Sequence, residues 1–579
     1  YAAFMDEAGI DARGLAPVQA ELAAINGLAD KAALSQHLGG TVRADVDLLN
    51  ATDMTTDRIL GLWVTQDFDE PTKVSPYLVQ GGLGMPDRAY YLDDAPRMVE
   101  ARGKYRAHIA RVLQLAGDAQ AEAKAARVLA LETAIARSHA TAEDSADVRK
   151  GNNHWAKGDF AGRAPGMDWT RFFAGAGLAE QATFVVWQPS AVTGLASQVG
   201  SASLDDWKAY LAFHALDRAS PMLPKAFADE NFAFHGTALS GTPQQADRWK
   251  RGVNQANAYV GHAVGKLYVE RHFTPEAKAR AEEMVRNLLT AFARRIDNLE
   301  WMTPQTRARA HRKLAALTVS IGYPEHWTTY DGLEIRRDDP VGNAERAQRQ
   351  HYQRQLAKLG RPVSHDEWYM LPQAVNALNV PLENRLIFPA AILGAPFFDP
   401  NADAAVNYGA IGGVIGHEIT HSFDSTGALF DETGKLNNWW TPEDFAHFEA
   451  STAALAAQYD QYKPFPDLSM NGRLTLAENV ADVAGLATAY DAYRLSLNGR
   501  EAPVIGGFTG DQRLFMGWAQ IYRAKFREPA MRQTVLTNAH SPGEYRASTV
   551  RNIDAWYTAF NVQPGERLAL PANRRVKVW

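Results

Sequence analysis

His417, Glu418 and His421 stand together in Gly416-His417-Glu418-Ile419-Thr420-His421, and this spacing asks for an α-helix. Helical residues four apart leave from one face, so both imidazoles can reach a single ion. Glu418 is turned about 100° away, beside such an ion rather than on it, where a carboxylate can take a proton from water. Two ring nitrogens do not complete a site, because a catalytic zinc keeps three protein ligands and one open position. The continuation HExxHxxGxxH is absent: Asp424 stands at the glycine position and Gly427 at that of the third histidine. Leu476-Ala477-Glu478-Asn479-Val480-Ala481-Asp482 offers another answer, with Glu478 and Asp482 on one helical face at i and i+4. Glu478 can ligate while Asp482 accepts a hydrogen bond from the outer nitrogen of a liganding ring. A solvated acidic face is the plain alternative. On the first reading the fold must press together two helices far apart in the chain. Asp424 is read as a further carboxylate behind a liganding ring rather than only a helix-end residue.

The glycines at 409, 412, 413 and 416 recur at helical spacing ahead of the histidines. Each costs roughly 1 kcal/mol relative to alanine inside a helix, so something is expected to approach that helix closely. The substrate-binding strand or substrate itself is one occupant; ordinary helix-on-strand packing is the other.

At 579 residues the chain is too long for one core, which implies two or more domains. The net charge of −6 and the lack of any long basic run argue against nucleic acid as a partner. The modest cluster from Arg307 to Lys313 reads as the charged face of a packed helix. No apolar run approaches the ~20 residues of a membrane span. Cysteine is absent, which excludes disulfides and thiolate chemistry. Nothing in the sequence sets the oligomeric state.

Most of the chain reads as helix. Residues 106–140, 205–217 and 275–299 repeat apolar positions at three and four. Residues 150–169 and 324–333 read as connections. Strand character concentrates at 315–321 and 371–393. Asn376 and Ala377, ahead of Pro381 and the β-prone Leu386-Ile387-Phe388, suit an edge strand to which an extended peptide adds by main-chain hydrogen bonds.

HEITH followed at a long interval by ENVAD resembles the neprilysin and endothelin-converting-enzyme family of zinc endopeptidases, in its bacterial oligopeptidase branch. The likeness continues in Val375-Asn376-Ala377, Phe388-Pro389-Ala390-Ala391-Ile392-Leu393, Pro396-Phe397-Phe398 and Asn407-Tyr408-Gly409-Ala410-Ile411-Gly412. It runs on in His540-Ser541-Pro542-Gly543-Glu544-Tyr545-Arg546 and the closing Arg575-Val576-Lys577-Val578-Trp579, with Val576 where disulfide-bonded relatives have cysteine. Upstream, Gln80-Gly81-Gly82-Leu83-Gly84-Met85-Pro86-Asp87-Arg88 and Ile321-Gly322-Tyr323-Pro324 belong to it too.

The resemblance implies a mainly α, two-domain fold: a mostly helical lid over 1–344, some of whose helices cross over, and a thermolysin-like catalytic domain with a small β-sheet over 345–579, together enclosing a cavity. It implies one Zn2+ per chain on His417, His421 and Glu478, with Glu418, His540 and Asp482 as catalytic residues. His540 is expected to hydrogen-bond the oxyanion and Arg546 a substrate carbonyl; Asn376 and Ala377 are expected to bind the peptide main chain. Ile392, Phe397, Val414, Ile521 and Tyr522 are expected to line the pocket after the cleaved bond. Gly413 and Tyr522 depart from the Met and Trp of better-known relatives, and Leu378-Asn379 from an aromatic pair.

The expected activity is zinc-dependent cleavage of oligopeptides on the amino side of hydrophobic residues. A zinc aminopeptidase and an inactive peptide-binding relative are the alternatives. The chain opens at Tyr1 without an initiator methionine, and a further N-terminal stretch is expected before it. A periplasmic or otherwise extracytoplasmic location is expected, with the cytoplasm as the alternative.

Overall fold

The computed structural model describes residues 1–49 and 55–579. Two large hydrophobic cores organise the chain. In the first, β1 (Leu60–Gln66), β2 (Val74–Gln80), β3 (His154–Ala156) and β4 (Thr183–Val186) form a sheet in the order β1-β2-β4-β3. β1 runs antiparallel to β2 from Leu60 opposite Gln80 to Gln66 opposite Val74, and β2 runs parallel to β4. Helices α1 (Pro96–Leu115), α2 (Ala121–Ser138) and α3 (Leu204–Ala219) pack into the same core.

This sheet is a correction to the sequence reading, which took the region as mostly helical, read 150–169 as a connection and placed no strand here. Leu60, Leu62 and Val64 face the helical core, while Trp63, Tyr77, Val79 and Val185 face a second, aromatic cluster. A strand covered on both faces shows no alternation of apolar and polar residues, so its period is invisible. The expected helical run 106–140 is also divided: it begins at Pro96 and breaks after Leu115, where Gly117 takes a φ of +83°.

Helix α4 (Pro275–Asp297) starts where Thr274 Oγ1 accepts from Ala277 N at 3.2 Å, with proline at its first position. With α5 (Pro304–Ala315) and β5 (Thr318–Gly322) it leaves the first core for the second, while α6 (Pro340–Leu356) returns to the first. The cores therefore interleave along the chain instead of dividing at one residue. In the second core β5, β7 (Arg385–Pro389) and β6 (Leu378–Val380) form a sheet in the order β5-β7-β6, which leaves β6 at an edge. Helices α7 (Gly413–His421), α8 (Leu476–Ser496) and α9 (Gly510–Ile521) pack beside it.

The upstream Gln80–Arg88 stretch is a structural knot. Glu132, fully buried on α2, accepts from Tyr91 Oη at 2.5 Å, Tyr105 Oη at 2.9 Å, His214 at 2.8 Å and Gly84 N at 3.2 Å. Four donors satisfy a carboxylate that would otherwise be costly to bury.

Candidate metal centre and peptide cleft

The glycines of α7 explain how its histidines meet Glu478. A Cβ on Gly416 would lie 2.4 Å from Gly485 O of α8, and one on Gly485 would lie 2.4 Å from His417 N. Only two glycines let these helix backbones cross so closely. Gly413 faces the Trp518 ring and Gly409 the Leu514 carbonyl, both on α9. Other helices, rather than a strand or substrate, make the approach that the glycine spacing signals. Tyr408–Gly412 winds as a π-turn just before α7, a local change of pitch common at functional sites.

The crossing brings three ligand atoms together. His417 Nε2 and His421 Nε2 are 2.9 Å apart, and Glu478 Oε2 lies 3.2 Å from the first and 3.6 Å from the second. His417 Nδ1 meets Asp482 Oδ1 at 2.8 Å, and His421 Nδ1 meets Asp424 Oδ2 at 2.5 Å. Each neutral ring thus spends its one proton outward and turns a lone pair inward. Oε2 of Glu478 is buried and accepts no hydrogen bond. Three converging acceptors repel unless a cation lies among them, so the donor set fits zinc. Burial opposes protonation of His421, yet Glu478 and Asp424 outweigh it and raise its pKa well above the ordinary histidine range. A metal ion supplies the positive charge those carboxylates call for.

Asp482, fully buried, also takes both forks of Arg546: Nε donates to Oδ2 at 2.9 Å and Nη2 to Oδ1 at 2.7 Å. The guanidinium lies over the Tyr522 ring, 4.6 Å from its centre. His540 Nε2 stands 3.1 Å from Glu478 Oε2, its Nδ1 is 3.1 Å from Asn538 Oδ1, and its loop is pinned by Ser541 Oγ donating to Asn479 Oδ1 at 2.8 Å. Burial pushes the Glu418 carboxyl up, toward the pKa of a useful proton acceptor.

One cavity of about 260 Å³ gathers nearly every residue singled out from the sequence. Asn376, Ala377, Ile392, Phe397, Val414, Ile521, Tyr522 and Arg546 line it together with His417, Glu418, His421, Glu478, His540 and Asp424. Asp482 stands behind it, against His417. Asn376 is exposed to the cavity and Ala377 is buried, immediately ahead of edge strand β6. Leu48, Leu49 and Ala146 close it from the other side of the molecule.

Sequence reading missed Asn379. Its Nδ2 donates to Glu418 O and to Ser422 Oγ, both at 2.8 Å, tying the edge strand to the metal helix. A lone amide inside the apolar triplet Leu378-Asn379-Val380 was the available signal. Lys313, read as part of a charged helix face, is instead buried at 2% exposure. The closing Trp579 packs under the end of the metal helix, its Nε1 donating to Phe423 O at 2.8 Å.

β6, Glu418 and the three candidate ligands border one cavity, which is the arrangement of a zinc metalloendopeptidase. The sequence matches the profile of peptidase family M13 over residues 1–324 for the N-terminal part and 376–576 for the catalytic part. The chain belongs to that family. An endothelin-converting enzyme homolog of Locusta migratoria is 30% identical over 533 residues, 87% of this chain and 73% of that protein. The neutral endopeptidase of Lactobacillus helveticus is 31% identical over 505 residues, 86% of this chain and 75% of its own. The inhibitor-bound crystal structure of the Mycobacterium tuberculosis zinc metalloprotease Zmp1 superposes with a TM-score of 0.94 at 40% identity, covering 100% of this chain and 88% of that one. The open state of Zmp1 gives 0.71 at 41% identity, covering 100% and 90%. The arrangement here is thus nearer the inhibitor-bound one.

Proposed function

We propose that the protein cuts oligopeptides on the amino side of apolar residues, with one zinc held by His417, His421 and Glu478. The observation that carries this reading is the single cavity where these three meet Glu418, an edge strand and an apolar wall. When bound, zinc supplies Lewis acidity, making a water acidic enough to attack near neutral pH and drawing charge from the scissile carbonyl.

The rest falls to the chain's own side chains. β6 and the Asn376 amide hold the substrate main chain extended. Glu418 takes a proton from the attacking water and passes it to the leaving nitrogen. His540 Nε2 donates to the oxyanion, and Arg546, fixed by Asp482, donates to a neighbouring substrate carbonyl. Ile392, Phe397, Val414 and Ile521 give the next side chain an apolar wall, and this supports a preference for Phe, Leu, Ile or Val.

The test is cleavage of an internally quenched peptide blocked at both ends with a central Phe or Leu, with and without a chelator, in a sample whose metal is quantified. Chelator-sensitive cutting before the apolar residue is the expected result. Zinc without cutting of blocked peptides, but with release of free N-terminal residues from unblocked ones, would replace the endopeptidase reading by an aminopeptidase.

A further inference from the structure

Lys313 is a buried charge that the reaction as described leaves unused. It sits on α5, and among the described residues no carboxylate lies within ion-pair distance of its ammonium. Nζ donates instead to two backbone carbonyls, Gly427 O at 2.7 Å and Phe430 O at 2.6 Å, and lies 5.6 Å from the centre of the Phe423 ring. An unpaired buried ammonium is costly, and burial draws its pKa down to about 7 against the pull of Asp424, Asp431 and Glu432.

The two carbonyls belong to the turn Gly427–Leu429 and the residue after it. That turn is what holds Asp424. Thr426 N and Gly427 N each donate to Asp424 Oδ1 at 2.7 Å, and Asp424 Oδ2 in turn meets His421 Nδ1. Hydrogen bonds joined through the Gly427 backbone therefore lead from Lys313 through the turn to the ring expected to face zinc.

We propose that Lys313 is a positioning residue for the metal site: by gripping Gly427 O and Phe430 O it fixes the turn that aims Asp424, and so sets the tautomer and orientation of His421. This rests on the reading of His421 as a ligand. Carboxylates behind liganding histidines are worth ~10–100-fold in metal affinity, and a group that aims one should be worth part of that.

The experiment is zinc affinity, measured by competition with a chromophoric chelator, for wild type, Lys313→Met, Asp424→Asn and the double variant. Lys313→Met should weaken zinc about 5–20-fold, and the double variant should be no weaker than Asp424→Asn alone, since both act through one carboxylate. Unchanged affinity in a folded Lys313→Met, or fold-losses that multiply in the double variant, would overturn the proposal. Should Lys313→Met fail to fold, Lys313→Gln is the fallback: its amide nitrogen sits one atom short of the Lys313 ammonium, so it cannot span both Gly427 O and Phe430 O and the grip is weakened. It should fall between wild type and Asp424→Asn, and a wild-type affinity would again overturn the idea. A wild type that takes up no zinc would sink the ligand reading itself, a separate outcome.

Discussion

An imidazole that ligates a metal carries one proton, and the placement of that proton decides what the ring can do. Asp482 and Asp424 draw the protons outward, which leaves Glu418 as the carboxylate facing the cavity with no metal duty. Glu418→Gln is therefore expected to retain zinc while losing at least ~10³-fold in rate, measured as metal content and kcat on one sample. His540→Ala should cost ~2–4 kcal/mol of transition-state stabilisation, read from kcat/KM, again with metal retained. Loss of zinc in the second variant would make His540 a ligand. The shared helix of His417, Glu418 and His421 was legible in the sequence because spacing on one helix is a local property, whereas the expectation for His540 came from the family resemblance. Asn379 was not, since its partners, a carbonyl on Glu418 and the hydroxyl of Ser422, are neighbours only after the chain has folded.

At the level of elements, the crossing of α7 and α8 is the device that builds the site. Gly485→Ala would drive a methyl against His417 N and spread the helices. Overpacking of this kind costs ~1–3 kcal/mol or more, and here it should also weaken zinc binding, checked by melting temperature and metal retention. In the lid, His108 on α1 bridges Glu230 at 3.0 Å and Asp217 at 3.1 Å, and Asp217 also meets His235 at 2.9 Å. Burial alone would lower the pKa of His108, but these two carboxylates outweigh it and raise it to about 9. The folded state therefore holds a proton that the unfolded chain releases near pH 6.5. The stabilisation is complete below that pH and disappears as the pH rises through about 9. The wild type should lose roughly 2–3 kcal/mol more across that window than His108→Gln, measured by denaturant unfolding. Helix α1 was readable from apolar periodicity, and α7 and α8 from the four-residue spacing of His417 with His421 and of Glu478 with Asp482. The glycine approach was read as well, but its visitor was assigned to a strand or to substrate, because sequence spacing marks where contact occurs and not what makes it.

Across the whole molecule, one place where the lid meets the catalytic unit is the short loop from Phe430 to Leu436. Leu436 N donates to Phe68 O at 2.7 Å, Gln66 Nε2 reaches Gly434 O at 3.3 Å, and the Phe68 and Phe430 rings meet edge to face at 5.2 Å. Gly434 takes a φ of +76° at the tip, where a Cβ would strike Leu382 O at 1.9 Å. Phe430→Ala removes the ring that fills this interface, at ~3–5 kcal/mol if fully felt, and should shift the molecule toward an open form. Small-angle scattering should show a larger radius of gyration, and KM should rise. The aromatic face of the lid sheet that receives this loop could not be read ahead, for the same reason its strands could not.

The loop that greets the lid at Phe430 and Leu436 begins at Asp424, behind His421. A peptide long enough to prop the lid ajar is therefore expected to leave slack at the metal as well as at the entrance. Such overlong substrates are expected to enter and bind, and then to turn over slowly.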